Sequence, residues 1–284
     1  MRDRRICRVI RRFRKLVRLR PGGARYAAAA VSLSWDEVEG VPLLRWSAVP
    51  GVTAVFSGRR GGVSEGAFES LNLGLRSGDD LARVAENRRR ACEAAGVDVG
   101  RTSSCHQFHS AVVHEAGSDP LRPFDDPAVL APRGDGLVTR MEGRGVVAFG
   151  SDCVPVVVAR ADGTGVGVCH AGWRGLLGGV VEQTVEALGE GEFAAAVGPC
   201  AGRDAYEVGP DVAEPLAERF GRAALNGRNA DLAACAAIAL ERAGVGTVEV
   251  SGLCTISDPE RFFSYRRDGR ACGRQAVIAH LGAA

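Results

Sequence analysis

A cysteine at 153 and a histidine at 170 stand at the outer ends of two apolar, β-branched runs in SDCVPVVVARADGTGVGVCHAGWRG, residues 151–175. Between the runs lies Ala161-Asp162-Gly163-Thr164, and Asp-Gly in that position is the strongest short-range hairpin signal. A two-residue Asp162-Gly163 loop pairs Ala161 with Thr164. Paired residue numbers then sum to 325, and Cys153 falls opposite Gly172. Side chains alternate faces with period two, which puts Cys153 and His170 on one face as diagonal neighbours. A three-residue loop would send them to opposite faces unless a bulge intervened. A thiol and an imidazole so placed can act as nucleophile and base, or as two ligands of a metal.

Histidine is scarce: positions 106, 109, 114, 170 and 280 are all of it. His109, in CHQFHS (105–110), would complete a set of two imidazoles and a thiolate with Cys153 and His170. Three such ligands suit Zn2+ and leave the fourth tetrahedral position to water or substrate, which is the catalytic pattern. Cys153 as a small buried hydrophobe is the alternative reading. Cys169 should face away from His170, into the core. Cys105 competes with His109 as a ligand, because both share a face on a strand, whereas His106 does not. Arg174, just before a helix expected to begin at Leu176, could bind an anion at the helix N-terminus or pair with a surface acid. Arg59, in the glycine-rich loop GRRGG (58–62), and Arg266 and Arg267 are candidates of the same kind.

These groups need a scaffold, and the periodicity supplies one. Strands are expected at 52–56, 107–114, 146–149, 154–159, 165–169, 193–197 and 247–251. Pro155 suggests an edge or bulge for its strand. Helices are expected at 80–95, 176–188, 212–219 and 232–243, and a surface loop at 115–134. Strands and helices mix without regular alternation, so the fold class is α+β, as a single domain over residues 43–284. Residues 1–33 read as a separate basic tail, disordered or, through helical spacing of Ile6, Val9, Phe13 and Leu16, suited to an anionic surface. The net charge of +2 conceals this division: residues 1–25 carry +10 and the remainder −8. An acidic body argues against nucleic-acid binding, and no apolar run spans a bilayer. Lys15 is the single lysine, which excludes lysine Schiff-base chemistry and a Walker-A loop from the body. Nine scattered cysteines without a CxxC pair point to a reduced, cytoplasmic protein.

Several motifs together resemble one family, variously called multicopper polyphenol oxidase, laccase-domain protein, purine nucleoside phosphorylase and peptidoglycan editing factor. They are RRGGVSEGAFESLNLG (59–74), HQFHS (106–110), GDGLVT (134–139), SDCVPVVV (151–158), CHAGWRG (169–175), VGPCAGRDAYEVG (197–209) and FFSYRRDG (262–269). The resemblance implies a metal on His109, Cys153 and His170. It also implies layered mixed sheets flanked by helices, similar to a deamidating bacterial toxin domain. The activity it implies is on purine nucleosides: phosphorolysis of adenosine, inosine and methylthioadenosine, and adenosine deamination. Phe108, Ser110 and Ser151 depart from the usual Val, Gly and Thr without removing a ligand. Five histidines with no HxH motif cannot furnish a multicopper laccase, although a single Cu2+ could occupy the site.

The expected enzyme is zinc-dependent and takes a purine nucleoside and phosphate, as monomer or homodimer, without nucleic-acid or membrane partners. Asp152, Asp135 and Glu207 are the carboxylates that could carry its proton. Arg59 and Arg174 would hold phosphate, and Asn72 would hold the ribose or orient a ligand. Besides a single-copper polyphenol oxidase on the same three metal-binding residues, two rivals stand beside this reading. One is a metal-free amide hydrolase with Cys153 as nucleophile and His170 as base, editing peptidoglycan precursors. The other is an adaptor working through its basic tail.

Overall fold

A computed structural model describes residues 32–117, 124–126 and 131–282. Its strands are β1 (Leu33–Val38), β2 (Val41–Trp46), β3 (Val52–Ser57), β4 (Thr102–Ser104), β5 (Val113–Glu115), β6 (Gly136–Thr139), β7 (Gly145–Gly150), β8 (Val154–Arg160), β9 (Val166–Ala171), β10 (Phe193–Val197), β11 (Leu225–Asn226), β12 (Asn229–Ala230), β13 (Thr247–Val250) and β14 (Gln275–Leu281). Its helices are α1 (Leu81–Ala95), α2 (Trp173–Gly178), α3 (Val180–Ala187), α4 (Pro210–Phe220), α5 (Leu232–Arg242) and α6 (Tyr265–Asp268).

Twelve strands make two mixed six-stranded sheets, ordered β1-β2-β3-β14-β7-β4 and β13-β10-β8-β9-β6-β5. Their inner faces meet. The period-two alternation sends Phe56, Ala148, Val157, Val166, Val168 and Val277 into the core between them. The opposite set on the second sheet, including Val154, Val156, Val158 and Cys169, packs under Leu176 of α2, Val181 of α3 and Leu240 of α5. On the far side of the first sheet, Val55, Val147 and Ile278 pack under Ala91 and Cys92 of α1. The order of layers is therefore helix, sheet, sheet, helices, an α+β architecture. Helix α1 runs where its pattern places it: the Asp80 carboxylate accepts from Arg83 N at 3.0 Å, and Gly96 closes the helix in the left-handed region.

The structure corrects several local expectations. The first sheet begins at Leu33, ten residues before the expected start, because β1 pairs along its length with β2. The 1–33 tail lies almost wholly outside the described residues, as does much of the 115–134 loop. Pro155 sits on a central strand, not an edge. It closes the β8–β10 ladder, where Gly198 N donates to Pro155 O and the missing N–H leaves no other bond to make. The strand expected over 107–114 shrinks to Val113–Glu115. The GRRGG loop is tight against its own fold: a Cβ on Gly62 would lie 2.3 Å from Ser70 O. The helix expected at 176–188 is two, α2 and α3, divided at Gly179, whose φ is 88°. Its apolar stripe survives the break, with Leu176, Val180, Val181, Val185 and Leu188 all buried.

That break depends on glycine through its backbone, since a Cβ at 179 would meet nothing closer than 3.6 Å. Gly179→Ala is therefore expected to destabilise the fold by about 1–2 kcal/mol from left-handed strain alone. Thermal denaturation should show a Tm lower by about 3–6 °C; an unchanged Tm would contradict this origin of the break.

Candidate metal centre and its cavity

The hairpin sets the first two groups. Strands β8 and β9 pair Val154 with Ala171, Pro155 with His170 and Ala159 with Val166, the register that sums to 325. The loop, however, has four residues rather than two. Arg160 N still donates to Gly165 O, while Gly163 N turns back to Arg160 O and Thr164 N binds the Asp162 carboxylate. An even loop preserves the sum, so Cys153 and His170 keep a common face. Across from Cys153 lies Gly172, where a Cβ would come within 2.8 Å of Cys153 Sγ and 2.9 Å of His109 Cδ2. A glycine is needed there to admit both.

His109 arrives from a separate segment, held in the left-handed region with φ 65°. The Asp135 carboxylate explains why this stretch is a loop and not a strand. It accepts from the backbone N–H groups of Phe108 (3.2 Å), His109 (3.0 Å) and Ser110 (2.7 Å), and from Ser110 Oγ (2.7 Å). Three successive N–H groups turned to one anion cannot also join a ladder. The same carboxylate lies 2.9 Å from His170 Nδ1, and the backbone carbonyl of Asp135 accepts from His170 N at 2.8 Å. With Nδ1–H so engaged, Nε2 is the nitrogen His170 can offer to a metal, as in the carboxylate–histidine arrangement of metal sites.

Cys153 Sγ and His109 Nε2 are 3.8 Å apart, and the two histidine rings meet edge to face at 4.9 Å. One donor atom from each of His109, Cys153 and His170 lies within 4.8 Å of the others. Two imidazole nitrogens and one sulfur so placed can hold one metal ion. Burial alone would raise the Cys153 thiol, but the His170 and His109 rings overcome it and bring it down to about 6. Burial would likewise favour neutral His170, yet the Cys153 thiolate and the Asp135 carboxylate hold its imidazolium up. Burial works against ionised Asp135 too, and its bonds from His170 and Ser110 still keep it below the usual carboxylate range. Without metal the pair is thus thiolate and imidazolium. The competitor Cys105 faces Gly136 O and is pushed up to about 12 by burial, as is Cys169 in the helix-side core.

All three donor residues line a cavity of about 750 Å3, whose walls also include Phe149, Trp173, Tyr206 and Tyr265. Asp152 is part of this wall, with φ 102°. Its two oxygens accept from Thr255 Oγ1 and from the backbone N of Arg266, both at 2.6 Å. Arg266 in turn lies 4.5 Å over the Tyr206 ring. The other candidates fall elsewhere. Arg59 donates to Glu69 O and Pro259 O and covers the Phe263 ring, away from the cavity. Arg174, in the first turn of α2, lies over Trp173 on the exposed side. Asn72 is fully buried, its amide bonded to Ser77 and Asp79 and its oxygen accepting from Gly74 and Arg274. Glu207 pairs with Arg228, and Arg267 with Asp268. Sequence reasoning missed Arg76, Arg88, Tyr206 and Arg274 in the lining, since nothing local distinguishes them.

Residues 53–282 match the family model described as multi-copper polyphenol oxidoreductase laccase. The chain belongs to this family. Among its relatives, the purine nucleoside phosphorylase of Xylella fastidiosa (strain Temecula1) is 41% identical over 252 residues, covering 84% of this chain and 95% of that protein. Purine nucleoside phosphorylase YfiH of Escherichia coli K12 is 35% identical over 245 residues, covering 84% and 97%. The crystal structure of YlmD from Geobacillus stearothermophilus superposes with a TM-score of 0.81 at 30% identity, covering 89% of this chain and all of that one. Despite the family's description, one cluster of three or more metal-capable side chains is present among the described residues. No helix among them is long and apolar enough to cross a membrane.

Two outcomes follow. Gly172→Ala should weaken metal binding on the order of ten- to a hundredfold, comparable to losing an orienting partner, with metal content after dialysis against buffered Zn2+ as the readout. Wild-type loading would show that the close approach at 172 is unimportant. In metal-free protein, iodoacetamide should alkylate Cys153 with a midpoint near pH 6, because the thiolate is the nucleophile and its fraction rises with pH. Peptide mapping should show the midpoint moving upward in His170→Ala, which keeps the burial and removes the cation.

Proposed function

We propose that this chain is a zinc-dependent enzyme of purine nucleosides, catalysing phosphorolysis of adenosine, inosine and methylthioadenosine and the deamination of adenosine. The observation that carries the reading is the His109–Cys153–His170 donor set in the wall of a cavity large enough for such a substrate. The names of the relatives supply the reaction class. Two imidazoles and a thiolate fit tetrahedral Zn2+, with Cu2+ the next ion this set would accept. Zinc held by these three residues would supply Lewis acidity beside the substrate.

The protein's own residues do the rest. Asp135 fixes the tautomer and the tilt of His170. Trp173, Tyr206 and Tyr265 offer faces on which a purine can stack. Asp152, with both oxygens occupied, acts as a positioning residue that ties Cys153 to Arg266. Phosphate falls to cavity arginines, in place of Arg59 and Arg174. The eight free cysteines among the described residues support a reducing, cytoplasmic setting. The expected likeness to a deamidating toxin domain belongs to the same reading, and superposition on such a domain tests it.

A second reading has its own observation. In an amide hydrolase acting on peptidoglycan precursors, the Cys153 thiolate would attack the carbonyl and the His170 imidazolium would give its proton to the departing amine. The neutral ring would then act as base toward the water that releases the acyl group. The family's description adds phenol oxidation, which the one donor cluster among the described residues would place on a single copper. Purified protein of measured metal content, assayed on adenosine with and without phosphate, separates the three. Phosphate-dependent adenine release should fall by at least about a hundredfold in His170→Ala and on chelation, and return with Zn2+. Amide hydrolysis that survives chelation and leaves an acyl group on Cys153 would establish the hydrolase. Oxidation of phenols restricted to copper-loaded protein would establish the oxidase.

A further inference from the structure

The cavity lining also carries cations outside the Cys–His–His cluster. Three arginines reach it from three segments: Arg76 before α1, Arg88 from within α1, and Arg274 at the entry to β14. Arg88 is 4% exposed. Its Nε donates to Leu73 O at 2.8 Å and its Nη1 to Phe124 O, and its guanidinium lies 4.3 Å and 5.0 Å from the Phe124 and Phe149 rings. Among the described residues Nη2 has no hydrogen bond to the protein. Arg274 spends Nη1 on the carbonyls of Cys272 and Gly273, and Arg76 places Nη1 2.5 Å from His106 Nε2.

Among the described residues none of these three arginines forms an ion pair with a carboxylate. Asp125 influences Arg88 from beyond that distance. Of the acids in the lining, Asp152 is engaged by Thr255 and Arg266, and Asp126 lies on the same cavity. Burial works against the charged Arg88 guanidinium, and a bound anion would offset that penalty. Arginine forks also match the geometry of phosphate oxygens.

We propose that Arg76, Arg88 and Arg274 form a subsite for a phosphate dianion in the cavity that contains the Cys–His–His cluster. The dianion is orthophosphate, in which case the subsite rests on the phosphorolysis reading, or the 5′-phosphate of a nucleotide, in which case it does not. The aromatic walls of the cavity would hold the nucleoside portion in either case.

The test titrates orthophosphate, AMP and adenosine separately onto full-length protein of measured metal content by calorimetry. Wild type is compared with Arg76→Gln and Arg274→Gln. Arg88 is left intact because it also holds Leu73 and Phe124. The expected result is saturable binding of at least one anion by wild type, weakened at least about tenfold in each variant, with adenosine affinity unchanged within about twofold. AMP binding well above adenosine identifies the nucleotide; orthophosphate binding without that gain identifies the co-substrate. Failure of both anions to bind wild type, or wild-type anion affinity in both variants, overturns the subsite. Anion binding without phosphate-dependent cleavage of adenosine leaves the subsite standing and removes phosphorolysis. Phosphorolysis whose phosphate KM is unchanged in both variants does the reverse.

Discussion

A single buried carboxylate, Asp135, organises the site. It gathers three consecutive N–H groups and the Ser110 hydroxyl from one segment and the His170 ring from another. An isolated carboxylate in this position would be expensive, because nothing replaces the water it loses. Five donors make the ionised form the comfortable one. Both histidines are oriented by the same anion, so neither can be re-aimed without disturbing the other. Its folded carboxyl is more acidic than an unfolded one, so it contributes stability above the ordinary carboxylate range, lost as pH falls through the folded value. The cluster and the fold are thereby linked to one protonation state.

Asp135 can do this because the second sheet delivers it. It immediately precedes β6, which pairs with β9 in the register Gly136–Cys169. That register puts the Asp135 carbonyl against His170 N while the side chain reaches the ring of the same residue. Backbone and side chain of one residue thus fix both the height and the rotation of His170. A slip of one position in β6 would exchange the faces of every residue involved.

The hairpin is legible in the sequence because the relevant information is local. Asp162-Gly163 and the two β-branched runs determine parity, and parity alone decides whether Cys153 and His170 share a face. The turn itself is two residues longer than Asp-Gly predicts, since Thr164 prefers the Asp162 side chain to its cross-strand partner. His109 is legible as a residue type but not as a conformation, because its left-handed φ depends on a carboxylate 26 positions away. The arginines show the same limit from the other side. Arg59 and Arg174 sit in sequences suited to anions, yet backbone carbonyls and a tryptophan claim them. Arg88 reads as one charge among several on α1, and only the packing of Phe124 and Phe149 brings it inside. The helix expected at 176–188 divides for a smaller reason: two adjacent glycines permit a left-handed step that apolar spacing does not register.

Cys153 illustrates how a strand can end in a rigidly held side chain rather than a frayed terminus. Pro155 stops the ladder to β10, which frees residues 151–153 from sheet geometry. The freed segment is then tied down at once. Asp152 enters the left-handed region, gives its backbone carbonyl to Ala201 N, and uses both carboxylate oxygens on Thr255 and Arg266. Cys153 is therefore bounded by a hairpin on one side and by the start of α6 on the other. Gly172 leaves the space its sulfur occupies. A donor side chain fixed from both directions would lose little entropy on meeting an ion, which suits a cluster of three donors that leaves further positions open.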